Sequence, residues 1–161
     1  MNTEGAEVWM CRIVERYSDM LLRLAYSRLQ SAADAEDCVQ EVYLKLLRRH
    51  PVFRDAAHEK AWLIRVTLNE ASDLTRARRR QAAALCALPE PAAANDTPLL
   101  SAVRALPDKY AAVLHLHYYE GYTIREIAEL LALPAATVGT RLSRGRAKLK
   151  AMLEEDFDGL E

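Results

Sequence analysis

The sequence predicts an all-α protein, and three observations carry that prediction. Leu and Ala supply 51 of the 161 residues while Val and Ile supply 13; unbranched side chains lose little rotamer freedom in a helix, whereas β-branched ones suit strands. Only five Gly and six Pro punctuate the chain, too few for the tight turns of a sandwich or barrel. Apolar residues recur at three and four through most of its length, the period of an amphipathic helix. The length suits one domain or two small ones.

Residues 7–29 carry Ile13, Tyr17, Met20, Leu21, Leu24 and Ala25 at helical spacing. Residues 34–49 repeat the pattern with Ala35, Cys38, Val39, Val42, Tyr43, Leu46 and Leu47. Asp34 is the expected N-cap of this second helix, with Asp37 three residues on, and Pro51 ends it. A short polar loop, Pro51–Ala57, leads to a third helix expected from Glu59 to Arg80, with Trp62, Val66 and Leu74 inward. Residues 81–98, QAAALCALPEPAAANDTP, hold three of the six Pro and little charge. They read as a flexible linker, helical at most through Leu85, whose mean span is about 20–25 Å if it behaves as a coil.

A second module starts near Leu99. Leu99, Leu100, Val103 and Leu106 suggest a short helix, and another runs from Pro107 to about Tyr119. Glu120-Gly121-Tyr122-Thr123 is a turn, and Thr123 with Glu126 makes a capping box that opens a helix through Leu131. Pro134 suits the first position of a last helix reaching about Glu155. Two helices across so short a turn, the second bearing Arg141, Arg144 and Arg146, form a helix-turn-helix pattern.

The formal net charge is −1, so any attraction to nucleic acid has to be local. Arg76, Arg78, Arg79 and Arg80 form one basic cluster, and Thr137–Met152 holds five basic residues and no acid. Asp34, Glu36, Asp37 and Glu41 gather near one helix start, and an acidic tail follows Met152. Several functions fall away. No apolar run approaches the roughly 20 residues that span a bilayer, and the N-terminus lacks the basic start and apolar stretch of a signal peptide. Cys11, Cys38 and Cys86 are odd in number and widely spaced, which suits reduced thiols in the cytoplasm. Glycine-rich phosphate loops, HExxH, GxSxG and a carboxylate dyad are absent from the sequence. His115 and His117 lie two apart, on different helix faces, which disfavours joint metal ligation. No catalytic residue, metal or cofactor is expected.

DAEDCVQEVYLKLLR (34–48) followed by AWLIRVTLNEASDLTRARRR (61–80) resembles region 2 of the sigma-70 family. LPDKYAAVLHLHYYEGYTIREIAELLALPAATVGTRLSRGRAKLK (106–150) resembles region 4. With both modules and a short linker, the chain resembles an extracytoplasmic-function (group 4) sigma factor from about residue 10 to 153. The resemblance implies two small helical domains: a three-helix region 2-like module, 1–80, and a four-helix region 4-like module, 99–161. It also implies a factor that directs core RNA polymerase to promoters and assists melting.

Position by position, it implies that Asp34, Glu36, Asp37, Gln40 and Glu41 dock on the clamp helices of the polymerase β′ subunit. The loop Phe53–His58 would form a base pocket. Lys60, Trp62, Arg65, Asn69, Arg76, Arg79 and Arg80 would meet the −10 strand; Trp62 fits either an aromatic DNA-side position or a core tryptophan. Asp73 reads as a salt-bridge partner for Arg76 or Arg65. In the recognition helix, Thr140, Ser143 and Arg144 would reach −35 base edges, and Thr137, Arg141, Arg146 and Lys148 would hold phosphates. Implied partners are bacterial core RNA polymerase (β′ clamp helices and β flap), promoter DNA and an anti-sigma factor, with a monomer when free and no membrane insertion.

Departures from the family pattern lie in the second module. Gly139 replaces a basic residue, and Gly139 and Gly145 each cost on the order of 1 kcal/mol of helix propensity. Ala132 stands where the turn usually has Gly, so a left-handed residue is not expected there. Cys38 reads as a small buried hydrophobe. Without the resemblance, the residues also fit a stand-alone helix-turn-helix regulator with an N-terminal helical interaction domain.

Overall fold

The computed structural model describes residues 3–85 and 97–158. In order they form α1 (Thr3–Leu29), α2 (Ala32–Arg49), α3 (Ala56–Leu85), α4 (Pro98–Ala105), α5 (Asp108–Leu114), a π-helical turn (His115–Tyr119), α6 (Ile124–Leu131) and α7 (Ala135–Asp158). No strand occurs among the described residues, as the Leu/Ala-rich composition predicts. The chain divides into two compact units, Met1–Ala71 and Ser72–Glu161. Of the expected linker 81–98, residues 81–85 complete α3 and Pro98 opens α4; residues 86–96 lie outside the described residues.

In the first unit, Ile13, Tyr17, Leu21, Leu24 and Ala25 of α1 are buried, as are Ala35, Cys38, Val39, Val42 and Leu46 of α2. Removing each Leu or Ile from water contributes about 1.5–3 kcal/mol. Met20 and Tyr43 are half-buried, and Ser18 and Tyr43 share a hydroxyl hydrogen bond of 2.6 Å. The cap of α2 corrects the sequence reading. Ser31, in extended backbone at φ −125°, accepts the Asp34 N–H, so Asp34 lies inside the first turn rather than at the cap. The helix ends at His50 in the left-handed region, φ 44°, whose N–H returns to the Leu46 carbonyl.

The third helix starts earlier than expected, because Asp55 caps it: its Oδ1 accepts the His58 N–H at 2.8 Å. Its inward register also differs. Trp62, Val66 and Leu74 are half-buried, while Glu59, Ala61, Leu63, Ile64, Thr67 and Ala71 are buried. Two of these are polar, which masks the apolar period. Thr67 is satisfied locally by donating to the Leu63 carbonyl at 2.8 Å. Glu59 accepts both Arg12 nitrogens at 3.1 and 2.9 Å and the Tyr17 hydroxyl at 3.1 Å, fastening α3 to α1. Burial pushes the Glu59 carboxyl up, but the hydrogen bonds from Arg12 and Tyr17 outweigh it and hold the group below its ordinary value. Lys45 pairs with Glu70 and the Cys38 thiol points to the Thr67 carbonyl, fastening α3 to α2.

In the second unit α7 packs on α4, α5 and α6. Ala102, Leu106, Val113, Leu116, Ile127, Leu130, Val138 and Leu142 are buried. The expected helix from Pro107 to Tyr119 widens at its end into the π turn, where the Glu120 N–H reaches the His115 carbonyl at 3.1 Å. His115 Nε2 lies 3.3 Å from Glu120 Oε1, and His117 Nδ1 is 2.8 Å from the Tyr122 carbonyl. The two histidines thus engage different partners.

Candidate nucleic-acid and protein interfaces

The outer face of α2 presents Glu36, Asp37 and Gln40 to solvent. Glu41, grouped with them by sequence, is half-buried and accepts from Arg48 at 2.9 Å; Asp34 is half-buried in the first turn. Leu44 and Leu47 are 48% and 38% exposed. Leu47 belongs to the apolar repeat of this helix, yet its side chain is exposed. Spaced four and seven residues from Gln40, both leucines continue the acidic face. The resulting surface mixes carboxylates with apolar area, a composition suited to a protein partner bearing cations and a hydrophobic anchor.

The loop before α3 carries an aromatic group. Phe53 meets His58 and Trp62 edge-on, with centroids 5.6 and 5.9 Å apart, and the Arg54 N–H donates to His58 Nδ1 at 3.2 Å. Val52 projects beside them, 90% exposed. Trp62 and Arg65 are half-buried and Asn69 is exposed. With His58 they follow a three-to-four spacing, so one helix face gathers them; Lys60 falls off that face. Rings able to stack with bases beside a cation and an amide suit an extruded strand. The exposed Arg76, Arg79 and Arg80 belong to the last turns of α3, and Arg76 donates to Asp73.

The helix-turn-helix of the second unit is built by local chemistry. Thr123 accepts the Glu126 N–H at 3.2 Å while Glu126 accepts the Thr123 N–H at 2.8 Å, the capping box expected from sequence. After α6, Ala132 takes φ 54° and ψ 47°. The turn therefore has its left-handed residue after all, and here an alanine bears the strain that glycine would avoid. The following Leu133 N–H closes on the Ala128 carbonyl at 2.9 Å. Pro134 precedes α7 rather than starting it, and its carbonyl accepts the Val138 N–H at 3.2 Å.

Thr137, Thr140, Arg141 and Arg144 of α7 line one pocket of about 270 Å³ together with Ala136, Lys109 and Tyr110. The structure thus gathers four of the seven residues expected at the −35 duplex. Ser143, Arg146 and Lys148 are exposed but lie outside that lining. Arg146 donates to the Tyr118 hydroxyl at 2.6 Å. Lys109 and Tyr110 were not found from sequence, because only the packing of α5 on α7 brings them there; the LPDKY stretch carries no charge pattern that would have signalled it. Burial pushes the Tyr110 phenol up, but Lys109, Arg144 and Lys148 more than reverse this, so it lies below its ordinary value. Gly145 allows the close approach: a Cβ there would sit 3.1 Å from Leu114 Cδ1 and 3.3 Å from Tyr110 Cβ. At Gly139 a Cβ would meet nothing within 4 Å.

Comparison with known proteins finds two family matches in order along the chain, the first running past the boundary between the units. The sigma-70 region 2 family model matches residues 13–81, and the sigma-70 region 4 model matches residues 97–149. The ECF RNA polymerase sigma factor SigW of Bacillus subtilis is 29% identical over 164 residues, spanning 89% of this chain and 88% of that protein. The ECF RNA polymerase sigma factor SigE of Mycolicibacterium smegmatis is 31% identical, over 88% of this chain and 60% of that protein. Among solved structures, the sigma factor RpoE of Bartonella quintana, determined with the anti-sigma factor NepR, has a TM-score of 0.70 at 22% identity, covering 89% of this chain and 95% of that one. CnrH, in complex with the cytosolic domain of CnrY, has a TM-score of 0.68 at 27% identity, covering 95% and 92%. Two helical units matched by the region 2 and region 4 models, in that order, identify the chain as a member of the sigma-70 family, an extracytoplasmic-function RNA polymerase sigma factor.

Proposed function

We propose that this sigma factor divides its work between residues 1–80 and 99–161, with 81–98 linking them. The exposed Glu36, Asp37 and Gln40, with Leu44 and Leu47, dock on the β′ clamp helices of core RNA polymerase; Asp34 and Glu41 support that helix from its margin. The Phe53–His58 loop and Trp62, Arg65 and Asn69 receive unpaired −10 bases, and Arg76, Arg79, Arg80 and Lys60 hold phosphates. The recognition helix α7 enters the −35 major groove, with Thr140, Ser143 and Arg144 toward base edges and Thr137, Arg141, Arg146 and Lys148 on the backbone. Region 4 also meets the β flap. The chain works in the cytoplasm as a monomer when free, catalyses no reaction itself and is held in check by an anti-sigma factor. The observation that carries this reading is the pairing, in one chain, of an acidic–apolar helix face with a capped helix-turn-helix whose second helix is basic.

The test is in vitro transcription with bacterial core polymerase, this chain and a mixed promoter library. Defined start sites that depend on the added chain are expected, and their alignment gives both promoter elements. An active core and a folded chain that yield no such starts, with tight specific DNA binding by the chain alone, would overturn the reading in favour of a stand-alone regulator.

A further inference from the structure

At Gly145, α7 meets α5 with no side chain of its own: a Cβ there would stand 3.1 Å from Leu114 Cδ1 and 3.3 Å from Tyr110 Cβ. The next residue, Arg146, is exposed, yet its side chain is tied. Its Nη1 donates to the Tyr118 hydroxyl at 2.6 Å. An arginine loose in water samples many rotamers, and fixing it on a ligand costs that entropy. The tie uses one of five N–H donors and leaves the rest of the guanidinium fork for another acceptor. Tyr118 is held in its turn. It lies in the π turn, and its ring meets His117 edge-on with centroids 4.8 Å apart. His117 is anchored by Nδ1, 2.8 Å from the Tyr122 carbonyl, and the Tyr122 N–H closes on the Leu116 carbonyl at 3.0 Å. Tyr118 itself is 60% exposed. Its ring fills no core position, and a hydrogen bond between two solvated side chains adds little to stability. What the contact does set is the direction of Arg146.

We infer that Tyr118 is a positioning residue for −35 binding: its hydroxyl holds the Arg146 guanidinium ready for a phosphate of the upstream duplex, and Gly145 lets the two helices approach closely beside it. Packing does not require the hydroxyl, since a phenylalanine would meet His117 in the same way. The inference rests on the reading of α7 as the −35 helix and adds to it a residue from outside the helix-turn-helix.

The experiment measures equilibrium DNA binding by holoenzyme assembled from core polymerase and the full chain. Two templates are used across a salt series: a promoter from which it initiates, and the same promoter cut short so that the −35 element is missing. Arg146→Ala should lower the salt slope on the full promoter by about one, the signature of one lost phosphate contact. Tyr118→Phe keeps the arginine's charge, so it should leave that slope alone and weaken binding about threefold, the order of one exposed hydrogen bond. The loss should be the same whatever the −35 base sequence and absent on the short template. It should vanish again when Tyr118→Phe is added to Arg146→Ala. The melting temperature of the free chain should not move, because the residue is largely exposed. Unchanged binding by Tyr118→Phe would overturn the inference, as would a loss that persists on the short template or in the Arg146→Ala background. Equal wild-type affinity for both templates would bring down the reading of α7, and the inference with it.

Discussion

At the residue scale, the clearest liability in the first unit is a buried carboxylate. Glu59 is 4% exposed and joined to Arg12 and Tyr17. Glu59→Gln is expected to cost about 1–2 kcal/mol in urea unfolding, near the low end for a charged hydrogen bond because Arg12 stands half in water. The sign of its pH dependence follows from the direction of the shift. A carboxyl held below its ordinary value of 4.5 contributes stability above that value and loses it as pH falls through the lowered one. Tyr17 lies on the other limb: burial, then the hydrogen bond to Glu59, raises its phenol above the ordinary 10.0. Its contribution is present below 10.0 and is lost as pH rises through the raised value. Unfolding curves across pH should therefore show both limbs in the wild type and a shallower acid limb in Glu59→Gln. Cys38 makes a second case. Burial, reinforced by the charge of Glu70, pushes its thiol up to about 12, so almost no thiolate exists near neutrality. Alkylation of the folded chain at pH 8 should modify the exposed Cys11 and leave Cys38 intact until denaturant is added, as read by peptide mass mapping.

At the scale of the element, two glycines and one alanine in the helix-turn-helix trade places with their usual roles. Gly139→Ala should stabilise the chain by about 1 kcal/mol, the helix-propensity difference, because its new Cβ meets open space. Gly145→Ala should gain clearly less, since its Cβ presses on Leu114 and Tyr110. Ala132→Gly should also stabilise, by up to about 1 kcal/mol, by relieving a left-handed alanine at φ 54°. Thermal unfolding of the three variants ranks them. These positions also show how far sequence reading reaches. The capping box at Thr123 and Glu126 was legible because its chemistry is complete within four residues. The α2 cap was misplaced because Ser31 and Asp34 are both good caps and only the backbone angles choose between them. The inward face of α3 was misread because Glu59 and Thr67 hold core positions, their polarity satisfied by partners that periodicity cannot see. The outer side of α7 was largely legible from its run of basic residues, whereas Lys109 and Tyr110 depend on how a different helix packs against it.

At the scale of the whole molecule, a net charge of −1 conceals separate acidic and basic surfaces. Phosphate attraction grows with the number of cations engaged and fades with salt. The free chain is expected to bind promoter DNA weakly and without footprint at physiological salt, whereas the holoenzyme binds it tightly. Glu36→Lys with Asp37→Lys should lower affinity for core polymerase about tenfold or more with little change in melting temperature, as both side chains are exposed on α2. Arg141→Glu with Arg144→Glu should leave core affinity intact and abolish dependence on the upstream promoter element. Competition binding to core and a template shift assay separate the two outcomes.

The π turn at His115–Tyr119 has a bearing on tolerance to deletion. Such a turn absorbs one residue more than an α-helical turn over nearly the same rise, and single insertions into helices are housed this way. One residue could therefore be removed there while α5 and α6 keep their facing sides. The same change inside α6 would rotate Ile127, Ala128 and Leu130 out of the core. In this chain, then, deleting one residue at that turn should disturb the fold far less than deleting one inside α6, as thermal unfolding of the two variants would show.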